Sequence, residues 1–261
     1  MDAAITVLTE NRNAALVPSA DFVYSGNVQK WCKFANSLKL RLAIRIAYAN
    51  PTKAKEMAES AVKQEIGLIE SNADNATWNY FGTLPNPIFT AVRYNEEKTG
   101  GDTHAAADII CYMNGYNDSR RASYFEKSKW EEQEYVGVRR SINLAKMGDY
   151  FSKYSTIKMK STDAVLWMNA AEVAFLRAEG KAVFNFDMGG EASSFYNQGI
   201  RLSFEQWAAA GAEEYLEDAT SKPATYKDPS GVYTYEGTLS DITVKWDESA
   251  TPAEKQERII T

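Results

Sequence analysis

The stretch KWCKFANSLKLRLAIRIAYANP, Lys30 to Pro51, constrains the fold more than any other part of the chain. It carries five basic residues and no acidic one, in a chain whose net charge is −6. On a wheel of ~3.6 residues per turn, Trp31, Phe34, Ala35, Leu38, Leu42 and Ile46 share one apolar stripe. Cys32, Leu40, Ala43, Ile44 and Ala47 form a second, interrupted by Lys33 and Asn36. Only a narrow polar strip of Lys30, Ser37, Arg41 and Arg45 remains. A surface helix buries one stripe, so two stripes predict an interior helix, Trp31 to Tyr48, with neighbours on both sides. A charge taken out of water must be paired. Arg41 and Arg45 are therefore expected in ion pairs that fix helix register, with Glu179 a candidate partner.

The flanking residues extend this helix into a hairpin. Asn50 suits an N-cap and Pro51 the first helical position, so a second helix, about 51–64, follows after almost no loop. A comparable pair lies at about 168–209. In MNAAEVAFLRAEGKAV, Asn169 caps, Glu172 closes a capping box and Met168 staples onto Val173. Ala171, Ala174, Phe175, Ala178 and Ala182 share a face whose small residues permit close helix approach, and GEASSFYNQGIRLSFEQWAAA returns after the turn FNFDMGG. The expected class is mainly α: tetratricopeptide-like helical hairpins in one domain spanning 1–261, although no strict repeat is visible. At the end of the chain, Thr251, Pro252 and Glu254 mark the start of another helix. The opening DAAITVLTENRN reads as entry into a helix already under way, and a fragment lacking both termini is expected.

The hydrophobic content of 44% and charged content of 25% are ordinary for a globular protein. The acidic balance argues against nucleic acid, which needs clustered Lys and Arg. Cys32 and Cys111 form no zinc or disulfide pattern, and Cys32, within a helix, reads as a buried thiol. No apolar run approaches the ~18 residues of a membrane span.

The motifs resemble a known family. KWCKFANSLKLRLAIRIAYANP is similar to the signature segment of the SusD/RagB family; so are AAEVAFLRAEGKA, followed by a helix ending SFEQW, and THAAADIICYMNGYNDSRRASYF with Asp118, Arg120 and Phe125. The resemblance implies a surface-exposed lipoprotein of the outer membrane of Gram-negative bacteria, mostly helical, sitting as a lid on a TonB-dependent (SusC-like) transporter. It implies capture of oligosaccharides or other nutrients, no catalysis, no cofactor and a membrane attachment only through an N-terminal lipid anchor that this chain does not carry. Cys32, inside a helix, is not the lipidation site.

Long irregular loops, about 69–104, 129–160 and 213–250, are where a ligand would sit. A glycan site wants exposed aromatic rings for stacking on sugar C–H faces, beside short polar side chains. In the first loop Trp78, Tyr80 and Tyr94 with Asn75 and Asn79 meet that description; the alternative is that Trp78 and Phe81 pin the loop to the core. In the second, Tyr135, Arg139 and Arg140 are further candidates, with solvation or pairing the alternative. In the third, the runs 232–235 and 242–244 flank Gly237 and are able to form a small β-hairpin with Tyr233 and Tyr235 on one face. Asn72, Asp74 and Asn75 offer oxygens, but without the Gly and bidentate Glu of a calcium loop, and no metal site is assigned.

Two other classes stay open. The sole histidine, His104, would have to serve any triad or multi-histidine metal centre, but it lies at an expected helix start where capping or solvation suffices. With 35 acidic residues, a carboxylate pair of a helical toroid glycosidase is the main enzymatic alternative. A tetratricopeptide adaptor would need rows of Asn and Lys recurring across helices, and none is found.

Overall fold

A computed structural model describes residues 1–79, 84–93, 103–143 and 152–261. In chain order the described elements are α1 (Asp2–Glu10), α2 (Val28–Arg45), α3 (Pro51–Val62), β1 (Ala76–Trp78), α4 (Pro87–Val92), α5 (Ala107–Gly115) and α6 (Arg121–Tyr124). There follow β2 (Val165–Met168), α7 (Ala170–Ala182), α8 (Ala192–Gln206), α9 (Ala212–Leu216) and α10 (Pro252–Ile260). The mainly helical expectation holds. Among the described residues no helix is long and apolar enough to cross a membrane. Contacts group the chain into two compact units: Met1–Tyr80 with Ala164–Gln206 and Trp246–Thr261, and Phe81–Asp163 with Trp207–Lys245.

In the first unit, asparagine caps start the hairpin helices, Asn50 and Asn169 as expected and Asn27 in addition. Asn27, Asn50 and Asn169 each accept a hydrogen bond from the backbone N–H three residues on, and Thr251 and Glu254 form a reciprocal capping box. Helix α2 packs on α1, α3 and α7, and α7 packs on α8 and α10. The second stripe of α2 is fully buried: Cys32, Leu40, Ala43, Ile44 and Ala47. The first stripe differs from the expectation. Only Ala35 is buried; Trp31, Phe34, Leu38 and Ile46 are half-buried and Leu42 is 40% exposed. The reason is that Asn36, read as an interruption, and Ser37, read as part of the polar strip, are themselves buried. Asn36 Nδ2 donates to Gly67 O at 2.9 Å, and Ser37 Oγ accepts from Ile69 N at 2.9 Å. A segment joining α3 to β1 thereby takes the place of a helix on that side. Lys39 is buried too and reaches Asp2 of α1 at 2.6 Å.

Small residues set the helix spacing. A Cβ on Gly199 of α8 would lie 2.8 Å from the Phe175 ring of α7, and one on Gly180 would lie 2.9 Å from Met188 Sδ. Substitution at either position therefore pushes against packed side chains. The one sheet among the described residues was not legible in the sequence: β1 pairs antiparallel with β2, Ala76 opposite Met168 and Trp78 opposite Val165.

In the second unit α5 supplies the core, covered mostly by irregular chain. Ala107, Cys111, Val136, Tyr154 and Tyr226 form one cluster, and Ala105, Ile110, Met113, Phe125 and Tyr135 another. Buried polar residues tie the loops together. Asp118 accepts from the Nε and Nη2 of Arg120, and Asp228 accepts from the hydroxyls of Tyr154 at 2.6 Å and Tyr226 at 3.2 Å. Burial raises both phenols, and beside them Asp228 keeps a lowered pKa: burial pushes its carboxyl up, but the bonds from Ser230 and the two tyrosines outweigh that. The hairpin expected between 232–235 and 242–244 does not form. Its tyrosine run bridges backwards instead, Tyr226 to Tyr235, around the turn held by Asp228. Burial pushes the Cys111 thiol up to about 11, and both cysteines are free and buried.

Candidate ligand-binding site

The first unit carries a row of six aromatic rings. Phe22 lies 5.6 Å from Trp78, and Trp78 lies 5.4 Å from Trp167. Trp167 continues to Phe34 at 6.4 Å, Phe34 to Trp31 at 5.6 Å and Trp31 to Tyr24 at 5.2 Å. Phe22 and Trp167 are each 39% exposed, while Trp78, Trp31 and Phe34 are half-buried and Tyr24 is buried. Exposed aromatic faces are thus anchored by rings of the same row that reach into the core. Interplanar angles of 56° and 40° between the three outer rings mean that no single plane runs through them.

Each outer ring is fixed by the backbone beneath it. The Asp21 carboxylate accepts from the N–H groups of Val23, Tyr24 and Gly26 at 3.0, 3.1 and 2.8 Å and from Trp31 Nε1 at 2.8 Å. It therefore clamps the turn that presents Phe22. Burial pushes the Asp21 carboxyl up, but those four donors outweigh it, led by the Trp31 indole, and the net pKa is lowered. The turn needs glycine at 26, where φ is +85° and a Cβ would lie 2.7 Å from Leu16 O. Trp167 is held through Arg41. The guanidinium Nε and Nη2 each donate to Glu172 at 2.6 Å, and Nη2 also donates to Trp167 O at 3.1 Å. Such forked Arg–carboxylate pairs are geometrically specific.

This corrects two expectations. The partner of Arg41 is Glu172, not Glu179, which instead accepts from Gln256. Glu172 lies about two turns nearer the start of α7 and gives its carboxylate to Arg41 rather than to a capping box. Arg45 is exposed and makes no ion pair with the described residues, because it falls on the side of α2 that faces water.

Of the five sequence-nominated residues, Trp78 lies at the centre of the ring row. Asn79 follows it, exposed; its backbone N–H donates to Phe22 O at 3.2 Å and its Nδ2 to Thr77 O at 3.2 Å. Asn75 is engaged structurally, its Oδ1 accepting from Ala170 N at 2.8 Å and its Nδ2 donating to Asn72 Oδ1 at 3.1 Å. Tyr80 and Tyr94 lie outside the described residues. Phe22 and Trp167 were not nominated. Trp167 sits in VLWM, a short apolar run at the foot of a strong helix signal, and only pairing with β1 brings it beside Trp78. Asp74, one of the oxygens weighed for calcium, pairs with Lys33 at 2.6 Å.

The second-unit candidates separate. Tyr135 is buried under the Arg121 guanidinium, 4.8 Å from its ring centroid, and Arg140 pairs with Asp108 at 3.1 Å. Arg139 lies 5.1 Å from the ring centroid of Tyr235, which is exposed. His104 lies 6.0 Å from the Tyr154 ring; the N-cap position of α5 falls on Ala106 instead.

Residues 1–261, the whole chain, match the SusD-like family, described as SusD and RagB outer membrane lipoprotein. A solved SusD homologue from Bacteroides uniformis is 72% identical with a TM-score of 0.98; the match covers 100% of this chain and 53% of that one. A SusD homologue from Bacteroides thetaiotaomicron is 40% identical, with a TM-score of 0.86 over 100% of this chain and 54% of that one. A chitin-binding SusD homologue from Flavobacterium johnsoniae is 36% identical, with a TM-score of 0.89 over 99% of this chain and 53% of that one. The chain therefore spans about half the length of these solved relatives. Among curated proteins, none matches it.

Proposed function

The chain belongs to the SusD-like family of SusD and RagB outer membrane lipoproteins, and from that premise we propose that it captures an oligosaccharide without cleaving it. In this reading Phe22, Trp78 and Trp167 are the stacking surface and Asn79 supplies hydrogen bonds to sugar hydroxyls. Tyr80 and Tyr94 complete the set, and Asn75 holds the start of α7 in place beneath it. The observation that carries the proposal is the pair of exposed, rigidly backed rings, Phe22 and Trp167, on either side of Trp78. Aromatic faces that are solvent-facing yet immobilised lose little entropy when a ligand stacks on them. The chitin-binding relative supports a saccharide ligand. The whole protein is proposed to act at the cell surface, anchored by an N-terminal lipid, handing its ligand to a TonB-dependent SusC-like transporter.

The test is a panel of oligosaccharides, chitin fragments among them, assayed in parallel for binding and for new reducing ends. Binding with no new reducing ends is the expected result. Release of reducing ends would establish a glycosidase instead, and no binding to any member would refute the capture reading.

A further inference from the structure

A separate concavity of about 480 Å³ opens in the first unit between the end of α2 and the start of α10. Its size falls in the range of small-molecule sites, ~300–1,000 Å³. Tyr48, Phe184, Pro51 and Pro252 form its walls, with Gln256 as its polar lining residue. Tyr48 is 75% exposed. A lone exposed aromatic side chain needs no explanation, but this one is pinned. Its hydroxyl donates to Gln256 Oε1 at 2.9 Å, and its ring meets Phe184 edge-on, centroids 5.1 Å apart at 75°. Phe184 is backed in turn by the stacked ring of Phe186, which is buried. Gln256 Nε2 donates to Glu179 Oε1 at 2.9 Å, which fixes the orientation of the amide.

The hydrogen-bonding inventory of this group leaves unused capacity on residues that line the concavity. An amide oxygen has two acceptor sites and an amide nitrogen two protons, and one of each is used here. The phenol oxygen donates its proton and keeps its lone pairs. A preorganised aromatic face, two proline walls and a fixed edge of alternating donor and acceptor suit a six-membered ring with apolar C–H faces and an equatorial rim of hydroxyls. The geometry points to a second saccharide site at Tyr48, taking a single pyranose ring, independent of the Trp78 row. It rests on the reading of the chain as a glycan-binding protein.

The test follows the ring resonances of Tyr48, Phe184, Trp78 and Trp167 by NMR. The full chain, its Trp78→Ala variant and its Tyr48→Ala variant are titrated with glucose, N-acetylglucosamine and their β-linked disaccharides at millimolar concentration. Saturable shifts at Tyr48 and Phe184 that persist in Trp78→Ala, and a Phe184 response at least about tenfold weaker in Tyr48→Ala, are expected. Because Tyr48 is exposed, its truncation leaves the fold intact, which the unchanged remainder of the spectrum checks. Shifts confined to Trp78 and Trp167 would overturn the second site while leaving the capture reading standing. This is also the outcome if a protein segment, not a sugar, fills the slot. No shift at any of the four rings would overturn both.

Discussion

In the unit that carries the ring row, α2 is held between α1, α3 and α7 by a face of small and aliphatic side chains. In the other unit α5 is wrapped mainly by irregular chain, and single buried polar residues hold that chain: Asp118, Asp228 and Asn86. Asn86 is wholly buried; its Nδ2 donates to Asp163 O and its Oδ1 accepts from Ile88 N, both at 2.8 Å. The contrast teaches where each unit is vulnerable. A helix-packed unit distributes its stability over apolar volume, and a loop-built one concentrates it in a few charge-assisted bonds.

The largest expected effect is therefore in the loop-built unit. Asp118, 2% exposed, is the carboxylate with which Arg120 pairs. Asp118→Ala should lower unfolding stability by about 3–5 kcal/mol, read by urea titration; a change within ~1 kcal/mol would remove the distinction between the units. Next comes Leu40→Ala on the fully buried stripe of α2, at about 2–5 kcal/mol. Leu42→Ala, on the half-open stripe, should cost well under that, and equal losses would mean that both stripes are core. A smaller, local effect belongs to Asp21. Its carboxyl is held below the ordinary value in the folded state, so it stabilises the turn above about pH 4. That stabilisation is lost as the pH falls through the lowered folded value. Hydrogen-exchange protection of the Val23, Tyr24 and Gly26 amides should fall between pH 6 and pH 3 on the order of tenfold or less; constant protection would contradict the clamp. The smallest effect is expected at Arg45, where reversal to Glu should shift stability by no more than ~0.5 kcal/mol.

The helices were legible because their information is local. Asn50, Asn169 and Thr251 cap where their residue types predict, and the buried stripe of α2 follows from spacing alone. What the period hides is the identity of the neighbour. Nothing in the spacing says that Asn36 and Ser37 face the Gly67–Ile69 segment rather than water. Nor does it say that Arg41 meets Glu172 rather than Glu179, one is half a helix from the other on the same element. The candidate site was legible only in part for the same reason. Trp78 and Asn79 stand out as aromatic and amide residues in an irregular stretch. Phe22 and Trp167 arrive from 56 residues before and 89 residues after Trp78 along the printed sequence, through a turn and a two-stranded sheet with no local signature.

The central claim is that the Phe22–Trp78–Trp167 group is a recognition surface and the helices beneath it are its support. Isothermal titration of Trp167→Ala with whichever oligosaccharide the native chain retains tests it most directly. The account predicts binding weaker on the order of tenfold or more, about 1.4 kcal/mol, with an unfolding midpoint shifted far less than in Leu40→Ala. Unaltered affinity in Trp167→Ala would contradict it.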